Sequence, residues 1–265
     1  MTKASLFIAG LLAAGTVSAQ GTLGSTGTAS TESVKTKTKI KSGKSNDRPF
    51  AVKWNPISLA FGKIGLSGEY NLNRKKSVTF GIGIPVSGNY TRDRTEERVD
   101  LSTKTFSIMG GYRMYLGKEA MRGFYFEPYL KYVNLKSNGR YDNKNVLDRD
   151  IYLADITYSG AGIGAQLGVQ FAIARRVVFD LFLLGPEANI SKFEGRFTDV
   201  SPDVASSTTW NSGEAERQIR DFIDDIPVVR DNVTYTVDNA AHRVTASYKG
   251  FLPGLRAGLS VGIRF

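Results

Sequence analysis

Alternation of apolar and polar residues constrains the fold of this chain more than any other feature. In the segment 255–265, apolar side chains fill every odd-numbered position, whereas the even-numbered positions hold only arginine, glycine and serine. Successive side chains of a β-strand point to opposite faces, so this pattern predicts a strand with one apolar and one polar surface. A lipid-facing barrel and a soluble sandwich both satisfy the pattern, and alternation alone does not separate them.

Eight segments share this alternation. The predicted strands are 51–61, 64–72, 78–86, 106–116, 123–136, 160–171, 177–190 and 255–265. The links 73–76, 117–122 and 172–176 are short and polar, whereas 91–103, 137–156 and 191–245 are long and charged. Outer-membrane barrels have short periplasmic turns and long extracellular loops. We therefore predict an all-β fold: an eight-stranded antiparallel up-and-down transmembrane β-barrel over 50–265, with a short helix in the last long loop.

Large charged residues on the polar faces favour a membrane barrel over a sandwich. An eight-stranded barrel has room inside only for side chains, so small and large residues must interleave there. The polar faces combine many glycines with charged residues, namely Lys53, Glu69, Arg113, Glu127, Lys131, Asp180, Arg256 and Arg264. We predict that they form an interior charge network with a structural role, because a buried charge must be paired. A proton path or a substrate site is the alternative.

The N-terminus has the pattern of a secretory signal peptide over 1–19. Lys3 supplies a positive charge, 6–14 is apolar, and Val17-Ser18-Ala19 forms a small-x-small cleavage site. The apolar run is too short for a spanning helix, which needs about 20 residues. Residues 20–49 are rich in serine, threonine, glycine and lysine, which predicts a flexible basic periplasmic linker. The predicted location is the bacterial outer membrane, with its lipid as a partner.

Composition narrows the possible chemistry. The chain has no cysteine, which excludes disulfides and cysteine-ligated metals. Its net charge is +10, but much of the excess lies in the linker, and export removes nucleic acid as a partner. No metal-loop spacing is present. We predict no cofactor, no metal site and no nucleic-acid partner, and we leave open the identity of a surface or periplasmic partner.

Three segments resemble a family of uncharacterised Bacteroidota outer-membrane β-barrels: 53–68 (KWNPISLAFGKIGLSG), 111–132 (GYRMYLGKEAMRGFYFEPYLKY) and 179–189 (FDLFLLGPEAN). The resemblance covers most of 51–265 and not the linker. It implies a porin-like barrel and an outer-membrane location. It carries over no activity and no catalytic residues.

The last long loop, 191–245, contains a candidate interaction helix. Its apolar positions include Ile219, Phe222, Ile223 and Ile226, which share one helical face. A helix here would either plug the barrel mouth or dock a partner, and the sequence favours neither. The flanks 233–237 and 244–248 have the composition of strands that continue above the membrane.

Three functions remain in competition. The favoured one is a structural or surface-interaction scaffold that is not an enzyme. A lipid-modifying enzyme would have to be centred on His242, the one histidine of the chain. Position 244, where a strand would place a serine beside it on the same face, holds Val244, so we predict no catalytic residues. A narrow channel is the third, although a lumen of this size seldom conducts. A soluble periplasmic binding protein is the fallback.

Overall fold

The computed structural model describes residues 17–18, 49–144, 151–173, 176–201, 217 and 232–265. Almost all of this is strand. The elements in chain order are β1 (Val17–Ser18), β2 (Phe50–Asn55), a 3-10 helix (Pro56–Phe61), β3 (Lys63–Asn73), β4 (Lys76–Pro85), β5 (Gly88–Asp93), β6 (Glu97–Tyr115), β7 (Gly123–Asn143), β8 (Ile151–Ile173), β9 (Val177–Asp199), β10 (Val233–Asp238) and β11 (Arg243–Arg264). Among the described residues, no helix is both long and apolar enough to cross a membrane.

Eight strands close into a ring. The strands β2, β3, β4, β6, β7, β8, β9 and β11 pair antiparallel in this order, and β11 then pairs with β2. The predicted eight-stranded up-and-down barrel is therefore confirmed. Three short strands lie outside the ring, since β5 pairs with β6 while β1 and β10 pair with β11. The predicted helix in the last loop, with Ile219, Phe222, Ile223 and Ile226, lies outside the described residues.

The first predicted strand, 51–61, is shorter than the sequence pattern indicates. Strand β2 ends at Asn55, whose side chain accepts a hydrogen bond from the Ser58 backbone N–H at 3.2 Å. Pro56 occupies the first turn of the 3-10 helix, a position that needs no donor and suits its fixed φ. Alternation cannot detect this change, because the helix is apolar as well.

Gly62 ends the 3-10 helix and packs the β2–β3 hairpin against the barrel wall. Its φ is 64°, in the left-handed region. Its carbonyl accepts from the backbone N–H groups of Val86 and Thr105, each at 3.0 Å. A Cβ at this position would meet the Thr103 carbonyl oxygen at 2.0 Å. Glycine is therefore required twice, by the backbone conformation and by the close approach of β6.

Outward-facing side chains form an apolar band that ends at one level. Apolar side chains on this face are widely exposed, as with Leu130 at 64% and Ile190 at 73%. The upper edge of the band is marked by Phe106, Tyr132, Ala161, Ile190 and Phe251, and the next outward residues are Lys104, Asn134, Ser159, Lys192 and Lys249. Paired strands change together, since Phe251 lies opposite Ile190 and Ile190 opposite Ala161. Such a band is expected where strands cross lipid.

Above the band, five strands continue as a sheet. We call this part the extracellular wall, after the side of the membrane on which the long links of such a barrel are expected: 97–105 of β6, 134–143 of β7, 151–160 of β8, 191–199 of β9 and 243–250 of β11, flanked by β5 and β10. The segments predicted as long loops are therefore mostly strand where they are described. The flanks 233–237 and 244–248, predicted as strands above the membrane, are confirmed by β10 and β11. The other strands above the lipid were missed because the outward face becomes polar there, which removes the apolar face used to identify strands.

Candidate functional site

Five of the charged residues predicted to lie inside the barrel meet in the half nearer the short links, the side predicted to be periplasmic. We call Lys53, Glu69, Arg113, Glu127 and Asp180 the lower network. Lys53 Nζ lies 2.6 Å from both Glu69 Oε2 and Asp180 Oδ2. The Arg113 guanidinium lies 2.7 Å from Glu127 Oε2 and from Asp180 Oδ2. All five are buried, and each lies within hydrogen-bonding distance of an opposite charge, but three carboxylates share two cations, which leaves one negative charge in excess.

Neutral side chains complete the lower network. Tyr125 donates to Asp180 Oδ1 at 2.6 Å, and Ser77 donates to Glu69 Oε1 at 2.6 Å. The Gln166 amide donates to Glu127 Oε2 at 2.8 Å. Tyr115 donates to Gln170 Oε1 at 2.7 Å and also to Glu69. These hydrogen bonds satisfy the lone pairs that ion pairing leaves over, as a buried network requires.

The ring of Tyr125 has a second role. The Arg113 guanidinium carbon lies 3.7 Å from its centroid, within cation–π range. Residues such as Tyr115 and Tyr125 were not predicted as network members, although they share the inward phase of their strands with Arg113 and Glu127. Their inward position in the alternation was the signal that could have identified them. The sequence does not show, however, whether the hydroxyl of a tyrosine is buried.

Lys131, Arg256 and Arg264 lie apart from the lower network. Lys131 contacts Glu187, which also accepts from the Tyr129 hydroxyl at 2.8 Å. The Arg256 guanidinium lies 4.6 Å from the centroid of the Phe182 ring. Arg264 lies at the periplasmic end of β11. The predicted interior charges therefore occupy separate levels of the barrel.

Glu187 was not predicted to face inward, and a β-bulge explains why. Up to Phe182, the even-numbered residues of β9 face the interior, as Asp180 does. The register with β8 then shifts, with Leu167 opposite Leu184 and Gly168 opposite Phe182. Beyond the bulge the odd-numbered residues face inward, so Glu187 joins Lys131. A period-two pattern that ignores the bulge places the side chain of Glu187 on the lipid-facing surface.

A cavity lies directly above the lower network. Its volume is about 110 Å³, and Lys53, Arg113, Gln166 and Asp180 form its floor. Residues with small or no side chains line the β3–β4 side: Gly65, Ser67, Gly68 and Gly81. The opposite side has Arg256, Ser260 and Phe182. Lys63 also lines the cavity and donates to Ser107 Oγ at 3.2 Å.

One seam of the barrel is incomplete beside this cavity. Strand β11 pairs with β9 from Arg243 to Ile263, but with β2 only from Val261 to Arg264. Above that, the 3-10 helix lies next to β11 in place of a paired strand, and the described residues pair this edge only through β1, at Leu255 and Arg256. Cleavage after Ala19, as predicted, would remove β1.

His242 lies in the turn between β10 and β11. Its φ is 47°, and its backbone carbonyl accepts from the Asp199 N–H at 2.9 Å. Val244, two residues later, is buried. No group of three or more His, Asp or Glu residues within the described ranges is arranged to hold a metal ion. His242 therefore contributes a backbone hydrogen bond at the end of the extracellular wall.

Comparison with known proteins gives two matches. The sequence matches the family described as "Outer membrane protein beta-barrel domain" over residues 4–208. Among solved structures, it is similar to "Crystal Structure of Acinetobacter baumannii CarO", at 10% sequence identity, 82% coverage of this chain, 98% coverage of that chain and a TM-score of 0.43. No curated protein matches the sequence. The family match spans most of the chain.

Proposed function

Because this chain belongs to the outer membrane protein β-barrel domain family, we propose that it is a non-enzymatic outer-membrane scaffold whose extracellular wall contacts a partner at the cell surface. In this proposal, a cleaved signal peptide exports the chain, and the basic linker 20–49 lies in the periplasm. We also propose that the chain belongs to the narrower family of uncharacterised Bacteroidota barrels.

The single observation that carries the proposal is the continuation of five strands beyond the apolar band. A barrel that only spans the membrane has no need of strand above the lipid, where loops suffice. Here, β6 and β7 remain paired up to Glu97 and Asn143. The interior of the wall is packed, with Tyr141, Ala154 and Ile156 buried as one cluster. Binding sites are more precise on such rigid elements than on loops.

The outer face of the wall suits contact with a polar partner. Ion pairs on it include Arg98–Asp100 at 2.8 Å and Arg196–Glu194 at 2.6 Å. Both signs of charge are interspersed, which favours a specific charge pattern over general attraction to anionic polymers. The partner is therefore proposed to be a protein or glycan with complementary polar groups, and not nucleic acid.

A narrow channel is the weaker candidate. The lower network fills the periplasmic half of the lumen with buried, hydrogen-bonded side chains. An ion would have to separate paired charges in order to pass, which is unfavourable in a low-dielectric interior. The enzyme candidate needs a base and a nucleophile on one face, and His242 has Val244 where a serine would have to lie.

Native mass spectrometry of the protein, extracted gently from its own outer membranes, tests the proposal. We expect a reproducible protein or glycan adduct that is lost when Lys192 and Lys249 of the wall are changed to glutamate. The matched control changes Lys75 and Lys76, at the periplasmic turn, to glutamate, and should keep the adduct. Steady conductance in planar bilayers, or lipid hydrolysis that His242→Ala abolishes, would replace the scaffold by a channel or an enzyme.

A further inference from the structure

The cavity above the lower network contains two cations that lack carboxylate partners. Lys63 lies at the start of β3 and donates to the neutral Ser107 hydroxyl. The Arg256 guanidinium lies over the rings of Tyr129 and Phe182, at 5.2 Å and 4.6 Å from their centroids. Within the described part of the chain, no carboxylate forms an ion pair with Lys63 or Arg256. Both side chains line the same cavity.

The nearest carboxylate is already engaged. Glu187 contacts Lys131 through one oxygen and accepts from Tyr129 through the other. Counted together, Lys63, Lys131 and Arg256 bring three positive charges to this level, and Glu187 brings one negative charge. The level therefore has a net charge of two positive units, and the single negative charge in excess in the lower network beneath it offsets only one of them. An interior excess of charge is unfavourable unless a counter-ion offsets it.

The cavity has the size and the polar groups to accept that counter-ion. A water molecule takes about 30 Å³ in the liquid, so a cavity of about 110 Å³ admits a small polyatomic anion. Gln166 Oε1 at the floor is buried and has no hydrogen-bond partner. Its amide N–H donates to Glu127, so the free oxygen is an acceptor that could pair with the hydroxyl of a protonated oxyanion or with a water beside it. Ser260 adds a buried hydroxyl.

We propose that this cavity binds an oxyanion, a phosphate or carboxylate group, held between Lys63 and Arg256. Arginine offers a planar fork of donors for two oxygens, and lysine offers a point charge on the opposite side. The lower network closes the cavity towards the periplasm. The small residues of β3 and β4 provide the volume, since a Cβ on Gly81 would come no nearer than 3.7 Å to any atom.

The seam between β11 and the 3-10 helix gives the oxyanion two possible sources. Asn55 and Ser58 line the cavity from the helix side of the seam, and Arg256 and Ser260 line it from β11. The cavity therefore lies directly behind the strand edge that β2 leaves unpaired. An amphiphile in the outer membrane reaches the cavity through this seam with its headgroup first. A free anion would have to enter along the lumen, from the side away from the lower network.

Isothermal titration calorimetry of the full mature chain in a non-ionic detergent tests the site, with inorganic phosphate and decyl phosphate as separate probes. We expect Arg256→Gln and Lys63→Gln each to weaken binding about tenfold or more. Gly81→Val keeps both charges and fills the cavity, so it should also abolish binding. The matched control is Lys249→Gln, an outward lysine on the same strand as Arg256, which should bind as the unaltered protein does.

Binding of both probes identifies a site for free oxyanions. Binding of decyl phosphate alone identifies a headgroup site served by the seam. The proposal is overturned if neither probe binds the unaltered protein, or if Arg256→Gln and Gly81→Val bind as tightly as Lys249→Gln does. Far-ultraviolet circular dichroism of each variant establishes that the barrel is folded, and Gly81→Val keeps the test decisive if a charge variant fails to fold.

Discussion

Two adjacent levels of the barrel interior differ in whether their buried cations are paired with carboxylates. In the lower network, Lys53 and Arg113 are each within 2.7 Å of two carboxylate oxygens. One level higher, Lys63 and Arg256 line a cavity, and the described residues offer them a hydroxyl, a thioether and aromatic rings. In the lower level both cations are paired with carboxylates, whereas in the upper level Lys63 and Arg256 have no ion-pair partner among the described residues, and the proposed oxyanion would supply one.

Because of this difference, we expect the lower network to contribute mainly to stability and the upper level mainly to ligand binding. A network whose members satisfy one another rigidifies the barrel but has no capacity to bind a ligand. A level with excess positive charge contributes less to stability and retains binding capacity, because its cations were desolvated without full compensation. The two levels should therefore respond oppositely to the loss of a single cation.

Removal of Arg113 should have the largest effect. Arg113→Met leaves Glu127 and Asp180 buried with fewer partners, and breaking a buried ion pair costs about 3–5 kcal/mol. We expect a fall of that size in the free energy of unfolding, measured by urea titration of the barrel in lipid vesicles. Arg98→Met on the exposed wall is the matched control, with a change below about 1 kcal/mol. Equal effects of the two substitutions would contradict the distinction between buried and exposed pairs.

Removal of one neutral donor should have an intermediate effect. Tyr125→Phe deletes the hydroxyl that donates to Asp180 at 2.6 Å, and a hydrogen bond to a charged group contributes about 1.5–3 kcal/mol. The same urea titration should show a loss in that range. Tyr70→Phe on the lipid-facing surface should leave the unfolding free energy unchanged. A negligible effect of Tyr125→Phe would mean that the lower network does not need its tyrosines.

Removal of a cation from the cavity should have a small effect of either sign. Lys63→Met deletes a charge that has no ion-pair partner among the described residues, that Arg256 and Lys131 repel and that Glu187 attracts. We expect a change below about 1 kcal/mol, or a slight gain, in phosphate-free buffer. This comparison with Arg113→Met tests the two levels directly. A loss as large as that of Arg113→Met would show that Lys63 is paired in the folded barrel and would remove the difference between the levels.

The smallest expected effect is the pH dependence of an ion pair in the extracellular wall. The hydrogen bond from Arg98, with one from Thr91, holds the pKa of Asp100 below its ordinary value of 3.8. A lowered folded-state pKa stabilises the fold above the ordinary value, and this contribution disappears as pH falls through the lowered pKa. The carboxyl carbon of Asp100, followed by NMR, should titrate below 3.8, and Arg98→Gln should raise its pKa. No difference between the two proteins would mean that the exposed pair is not formed.

The predictions from sequence were accurate where lipid imposes a pattern and inaccurate where it does not. Strand β3 was predicted at 64–72 and is Lys63–Asn73, because its apolar residues face lipid throughout. Strand β6 was predicted to begin at 106 and begins at Glu97. Phe106 is the lipid-facing residue of this strand nearest the extracellular wall. Between Glu97 and Phe106 the outward-facing side chains are polar. Apart from the flanks 233–237 and 244–248, strands above the membrane could not be recognised, because the lipid that imposes an apolar outward face is absent there.

Alternation determined the number of strands in the ring and the inward direction of Lys53, Glu69, Arg113, Glu127 and Asp180, and together with the link lengths and the charged polar faces it determined the all-β barrel. These follow from a local rule, since each side chain's face is set by its position in its own strand. Only the tertiary structure decided which charges meet. A bulge turned Glu187 inward to Lys131, the 3-10 helix cut β2 short, and Lys63 and Arg256 came to share a cavity. Such pairings depend on register between strands far apart in sequence, which no single strand encodes.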